Sequence, residues 1–244
     1  MDHPLAVSMQ HLTKTFGTKE VIRDCSFSVK QGTIYSLVGK NGAGKTTIFK
    51  LLLGLQKPTM GKSTIFGLNS TTNSPEILRI TGSLIETPIF YEYLSASDNL
   101  KIYLDYMDVK NADIEETLYM VGLPPAGTQP VSGFSLGMKQ RLALARTLIH
   151  KPRLLILDEP LNGLDPVGIR EMRELFQRIV EERHCTILLS SHILTEIEKI
   201  SDTVGFLVDG RVVQECSPAE IQVKSGLSLE DYFVRVTNGG EGNV

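Results

Sequence analysis

Gly39 to Thr46, reading GKNGAGKT, lies directly after the short apolar run TIYSLVG and directly before TIFKLLLGL, whose apolar residues recur at helical spacing. Few folds accommodate strand, glycine loop and helix in that order, because the loop must close tightly and feed the chain straight into a helix. Gly42 and Gly44 free the backbone to curl, so that successive N–H groups and the helix N-terminus face one point, an arrangement suited to an anion. Lys45 then extends toward the outer phosphate oxygens, and Thr46 offers its hydroxyl to a divalent cation. A turn that merely joined two elements would need neither the lysine nor the neighbouring threonines Thr46 and Thr47.

The flanking sequence fits an α/β fold around such a loop. Upstream, LAVSMQHLTKTF and VIRDCSFSV alternate apolar and polar residues and read as strands of an N-terminal antiparallel β part. The helix after the loop stops near Gly54, ahead of Lys57-Pro58. From about residue 87 to 150 the texture changes to helical periodicity in DNLKIYLDYM, DIEETLYMVG and GMKQRLALARTLIH, broken by LPPAGTQPVSGF, which reads as an inserted helical subdomain. Strand character returns in RLLILDE, CTILLSS and TVGFLV around the helical GIREMRELFQRIVEER. FLVDGRVVQ carries an Asp-Gly hairpin signal, and SPAEIQ offers Ser217 as N-cap, Pro218 at N1 and Glu220 at N3. One domain is expected over residues 1–236, with 237–244 as a flexible tail.

Composition narrows the function classes. The 244 residues carry a net charge of −3, so nothing in the balance suggests a nucleic-acid partner. No stretch approaches the ~18 consecutive apolar residues of a membrane span, and MDHPLAVSMQ lacks a signal pattern, which together predict a cytoplasmic chain without direct membrane insertion. Cys25, Cys185 and Cys216 have no CxxC spacing and read as reduced, mostly core residues.

A second acidic feature follows the helical insert. RLLILDEP ends an apolar strand with Asp158 and Glu159. Carboxyl ends of parallel strands border the ligand crevice, so these acids emerge where the glycine loop opens. Asp158 can hold Mg²⁺ through water, and Glu159 can polarise a water toward a γ-phosphate. Two acids at a strand end are otherwise common as a solvated loop start, and it is the loop upstream that favours the functional reading.

The segment GFSLGMKQRLALARTL, Gly133 to Leu148, narrows the choice further. It resembles the signature of ATP-binding cassette (ABC) ATPases, usually Leu-Ser-Gly-Gly-Gln followed by Gln-Arg and a helix, matched here by Phe134, Ser135, Leu136, Gly137 and Met138 with Gln140 and Arg141 beyond. Ser135 as N-cap and Gly137 behind it offer a hydroxyl and open N–H groups at a positive helix end. The resemblance runs from about Val7 to Lys224. It implies a P-loop NTPase core with ATP and Mg²⁺ as cofactors. Nucleotide contacts would come from Phe16, Gly39, Lys40, Asn41, Gly42, Ala43, Gly44, Lys45, Thr46 and Thr47, with Phe16 stacking on adenine where a strand aromatic is by default core. Lys45, Glu159 and His192, in LSSHIL, would act in catalysis. Ser135, Gly137 and Asp165, in LNGLDP, would meet the nucleotide or contacts of a partner protomer, giving a homodimer or paired cassettes on ATP binding. Thr46, Asp158 and Glu86 would hold the metal. A separate transmembrane permease would dock on the helical part and the stretch after Glu86, placing the chain peripherally on the inner face of the cell membrane.

Two departures from the family pattern matter. Glu86 stands where the family carries glutamine, adding negative charge beside Asp158 and Glu159, which is expected to tighten metal dependence or slow closure; the plainer reading is an exposed acid at a loop start. Leu136 replaces a glycine but keeps its N–H for phosphate if φ is negative. Glu86 together with FSLGM resembles the bacitracin-resistance and lantibiotic self-protection branch, exporters of antimicrobial peptides or similar amphiphiles. A general multidrug exporter or importer subunit would share the same ATP chemistry. A soluble ABC-type regulator of ribosomes or DNA would usually carry two cassettes or a long coiled-coil insert, and this chain has neither.

Overall fold

Alternation near the N-terminus becomes two twelve-residue strands, β1 (Leu5–Phe16) and β2 (Lys19–Lys30), in the computed structural model of the protein, which describes residues 4–86, 88–123 and 127–238. Next come β3 (Ile34–Val38), every residue of it buried, and α1 (Lys45–Leu52), which Gly54 ends at φ +70°. Four short elements follow that apolar periodicity did not reveal: β4 (Met60–Ile65), β5 (Leu68–Asn69), α2 (Ser74–Ile80) and β6 (Thr81–Leu84). The range 87–150 contains α3 (Ala96–Met107), α4 (Ile114–Met120) and α5 (Leu136–Leu148), while 88–95 is not helical. The remainder alternates as β7 (Leu154–Leu157), α6 (Pro166–Arg183), β8 (Thr186–Ser190), α7 (Leu194–Ile200), β9 (Thr203–Val208) and β10 (Arg211–Cys216). It closes with α8 (Pro218–Ser225) and α9 (Leu229–Thr237). The tail expected over 237–244 lies outside the described residues except for Thr237 and Asn238, which finish α9.

Two sheets organise these elements. One is antiparallel, in the order β2-β1-β4-β5, so strands from after the glycine loop complete the N-terminal β part. The other runs β10-β9-β3-β8-β7-β6, parallel from β9 to β6 with β10 antiparallel at its edge. Both faces of the parallel sheet are covered. Leu154 and Ile156 pack with α1 and the antiparallel sheet, whereas Leu155 and Leu157 face the helical side. Burial on both faces is why β7 and β8 read as unbroken apolar runs. The Asp209-Gly210 hairpin has both residues at positive φ, and the Ser217/Glu220 capping box is formed. Cys25 and Cys185 are buried, which pushes their thiols up to about 11 and about 12. Among the described residues no helix is long and apolar enough to cross a membrane.

Candidate nucleotide site

Three parallel strands, β3, β7 and β8, end side by side and deliver the glycine loop, the acidic pair and His192 to one edge of the sheet. Within the loop, Gly42 has φ +82° and open space around its Cβ direction, and Gly44 has φ +113°. A side chain at Gly44 would meet Ile22 Cδ1 at 2.5 Å, and one at Gly39 would meet the Leu207 carbonyl at 2.6 Å. Contact with backbone therefore demands glycine at 39 and the positive φ calls for it at 44, while Gly42 keeps its open side for a ligand.

Lys45 is buried, with Nζ donating to the Gly39 carbonyl at 2.7 Å and lying 3.6 Å from Glu159 Oε1. Glu159 Oε2 lies 2.8 Å from His192 Nδ1 and also accepts the His192 backbone N–H at 3.2 Å. The carboxylate is thus bracketed by two basic side chains. Its backbone is left-handed, φ +51°, a conformation unfavourable for a side-chain-bearing residue, and its N–H is held by Ser190 Oγ at 2.9 Å. Ser190 donates in turn to Asp158 Oδ1 at 2.6 Å, and Thr46 donates to Asp158 Oδ2 at 2.5 Å. Ser190 was not singled out from sequence; its signal is a fully buried serine at a strand end, two residues before His192.

The residues present fit a nucleotide with a divalent cation. A hollow of about 240 Å³ opens beside the loop, lined among others by Asn41, Lys45, Thr46, Thr47, Asp158 and Glu159. A cleft of about 270 Å³ joins Gly39, Lys40 and Asn41 to His192 and to Phe233 of α9, a residue sequence reading did not single out. Among the described residues no group of three or more His, Cys, Asp or Glu could hold a metal by itself. Thr46 and Asp158 suit Mg²⁺, which typically takes one or two protein oxygens plus phosphates and water.

Other expected residues sit elsewhere. Phe16 ends β1, is 44% exposed, and has Lys14 Nζ over its ring at 4.7 Å. Ser135 caps α5 by accepting the Met138 N–H at 3.2 Å, and Asp165 caps α6 by accepting the Gly168 N–H at 2.8 Å. Among the described residues neither bonds to this chain's own glycine loop. The segments that carry them are neighbours instead. Leu136 Cδ2 fills the space a side chain at Gly163 would take, Leu164 Cδ2 lies 3.7 Å from the Cβ direction of Gly137, and Gln140 donates to the Pro160 carbonyl at 3.0 Å. Leu136 is not among the residues of positive φ. Glu86 is left-handed, φ +67°, exposed, and ion-paired with Lys50 of α1, a partner that sequence reading missed.

The segment after Glu86 is fastened to α5. Arg146 donates to the Ile89 carbonyl at 3.2 Å with its guanidinium 5.2 Å over the Phe90 ring, and Lys139 Nζ donates to Glu92 at 2.8 Å. Asn99 pins the backbone N–H and carbonyl of Tyr91. Ile89, Tyr91, Tyr93 and Tyr106 are left exposed.

Comparison with known proteins agrees with this geometry. The family profile described as ABC transporter matches residues 22–162. The chain is similar to the bacitracin transport ATP-binding protein BcrA of Bacillus licheniformis, 51% identical over 84% of this chain and 67% of that protein. It is also similar to the lantibiotic transport ATP-binding protein SrtF of Streptococcus pyogenes, at 43% over 86% of this chain and 90% of that one. Among solved structures, an ATP-binding subunit of an ABC transporter superposes with a TM-score of 0.84 at 29% identity, covering 95% of this chain and 99% of its own.

Proposed function

The chain belongs to the ABC transporter family, and from that premise we propose that it is the ATP-hydrolysing subunit of an exporter of antimicrobial peptides, working with a separate membrane-spanning permease. The cargo class rests on the bacitracin and lantibiotic transport relatives. The observation that carries the hydrolytic reading is Glu159 bracketed by Lys45 and His192, one residue from the Thr46–Asp158 pair.

ATP phosphates enter over the loop N–H groups, with Phe16 available to the base. Lys45, now shared between the Gly39 carbonyl and Glu159, turns to the phosphate oxygens and frees the carboxylate. Glu159 accepts a proton as water oxygen bonds to the γ-phosphorus and the bond to the ADP oxygen breaks. His192 holds the carboxylate oriented from its other side. Thr46 and Asp158, with Glu86 as the third candidate, would hold magnesium, which would neutralise phosphate charge when bound. Ser135, Gly137 and Asp165 face a second protomer, so that ATP closes a dimer. On this reading the exposed Ile89, Tyr91, Tyr93 and Tyr106 supply apolar surface for the permease, and the chain works peripherally on the cytoplasmic face of the membrane.

Glu159→Gln tests this reading. Turnover is expected to fall roughly 10²- to 10⁴-fold, with an ATP-bound dimer accumulating on size-exclusion chromatography. Unchanged turnover would remove Glu159 from its role. Co-expressed with its permease, the wild type is expected to raise tolerance of bacitracin or a lantibiotic and the variant to abolish that gain; equal tolerance with and without the subunit would overturn the cargo class.

A further inference from the structure

Glu86 and Lys50 form an ion pair that bridges the two elements framing the metal site. Lys50 lies four residues after Thr46 on α1, so the two side chains leave the same face of the helix one turn apart. Glu86 arrives from the sheet. It follows β6, whose Leu84 pairs with Leu157 of β7 and accepts the Asp158 N–H at 2.7 Å. Thr46 and Lys50 on one helix face are thus matched by Asp158 and Glu86 after neighbouring parallel strands, and each helix residue bonds the acid opposite it.

This pairing changes the electrostatics expected from a glutamate at this position. A free carboxylate beside Asp158 and Glu159 would add a third negative charge, pulling on any divalent cation and on the loop behind it. A carboxylate held by an ammonium presents a near-neutral pair to the same site, close to what a carboxamide would present. Glu86 is also kept left-handed, so its side chain leaves the backbone in a direction that most residues would not adopt.

We propose that Lys50 is a positioning residue for Glu86, holding its carboxylate against α1 and away from the metal. The proposal rests on the nucleotide-site reading above. Its consequence is that residues 50 and 86 act as one unit, and that Lys50 matters more to the metal when residue 86 is an acid.

The test is a Mn²⁺ titration followed by electron paramagnetic resonance, on the full chain with a non-hydrolysable ATP analogue, so that it does not depend on turnover. In the wild-type background, Lys50→Met is expected to lower the half-saturating Mn²⁺ concentration by about two- to fivefold, the range for a partly exposed ion pair, because the released carboxylate joins the metal site. Lys50→Arg is expected to restore the wild-type value. In the E86Q background, Lys50→Met removes only the ammonium's own repulsion of the cation and is expected to shift half-saturation less than in the wild-type background. Equal shifts in both backgrounds, or no shift in either, would overturn the proposal, as would K50R behaving like K50M. Wild-type protein that binds no Mn²⁺ with the analogue would instead overturn the nucleotide-site reading, and this proposal with it.

Discussion

Gly137 is the second residue of α5, behind the Ser135 cap, and nothing among the described residues requires it to be glycine. It is absent from the positive-φ residues, and an added Cβ would meet only Leu164 Cδ2, at an ordinary 3.7 Å. Gly137→Ala should therefore stabilise the isolated protein by about 0.5–1 kcal/mol, from helix propensity and a less flexible unfolded chain. For a chain of this length that raises Tm by roughly 1–4 °C. Gly137→Asp should also stabilise, because the first turn of α5 has no acidic residue and a carboxylate there gains about 0.3–1 kcal/mol from the helix dipole. If the glycine leaves room for the nucleotide of a second protomer, both variants lose function while gaining stability. The aspartate loses far more: a carboxylate about 4 Å from a phosphate, at an effective dielectric near 20, costs about 4 kcal/mol, or roughly a thousandfold in closure of the ATP-bound dimer. Thermal unfolding, steady-state ATPase and sedimentation of E159Q with and without G137D measure the three quantities separately. A G137D protein with wild-type ATPase and an intact E159Q/G137D dimer would refute the partner-facing reading, and a lowered Tm for G137A would refute the local one.

Two further outcomes follow from buried polar groups. Ser190→Ala removes the acceptor of the Glu159 N–H and a donor to Asp158, and is expected to cost about 1–3 kcal/mol in a urea melt while kcat falls with little change in KM for ATP, since the loop backbone remains; an unchanged kcat would show that Glu159 holds its left-handed turn unaided. His150 sits between α5 and β7 with both ring nitrogens unpartnered, and burial pushes its pKa below the ordinary 6.5, outweighing the nearby Thr81 backbone, which favours the charged form. The unfolded chain therefore binds the proton more readily, and the neutral ring's stabilising share, full above about pH 6.5, is lost as pH falls toward the folded value. His150→Gln should flatten the stability profile between pH 7 and 5; a profile parallel to wild type would place the titration elsewhere.

What the sequence revealed and what it hid have different physical origins. β7 and β8 were legible because a parallel strand buried on both faces is centred on an unbroken apolar run, and the glycine loop because its chemistry sits in eight consecutive residues. β4, MGKSTI, was not, since half of it faces solvent and its pairing with β1 is a contact between residues some fifty positions apart. α9 was missed for a similar reason: its buried residues Leu229 and Tyr232 give only one turn of spacing, and Tyr232 finds its place against Phe206 of β9. Ser190 and Lys50 are ordinary residues by type. Each acquires a role only when the fold brings an acid 32 or 36 positions away against it.

The same distinction bears on how one active site could sense another. Ser135, Gly137 and Asp165 are grouped with the nucleotide by resemblance, yet the segments that carry them pack on each other, and among the described residues Ser135 and Asp165 bond only to the starts of their own helices. Between Glu159 and Asp165 runs a short loop whose two ends serve different sites: at one end Glu159 meets Lys45 and His192, at the other Asp165 starts α6 beside the Ser135 helix. Gln140 of α5 donates to the Pro160 carbonyl, so the signature helix is bonded to the residue next to Glu159. In the proposed dimer, a nucleotide pulling on Ser135 of one protomer would therefore pull, through α5 and that carbonyl, on Glu159 of the same protomer, whose own nucleotide lies on the other face of the sandwich. Because Glu159 is held in an unfavourable left-handed turn by a few specific bonds, a small displacement of Pro160 is enough to change where its carboxylate points. Gln140→Leu cuts the bond without touching either nucleotide contact, so it should leave ATP affinity near wild type and lower the cooperativity of hydrolysis; a Hill coefficient equal to wild type would mean that the two sites communicate by another route.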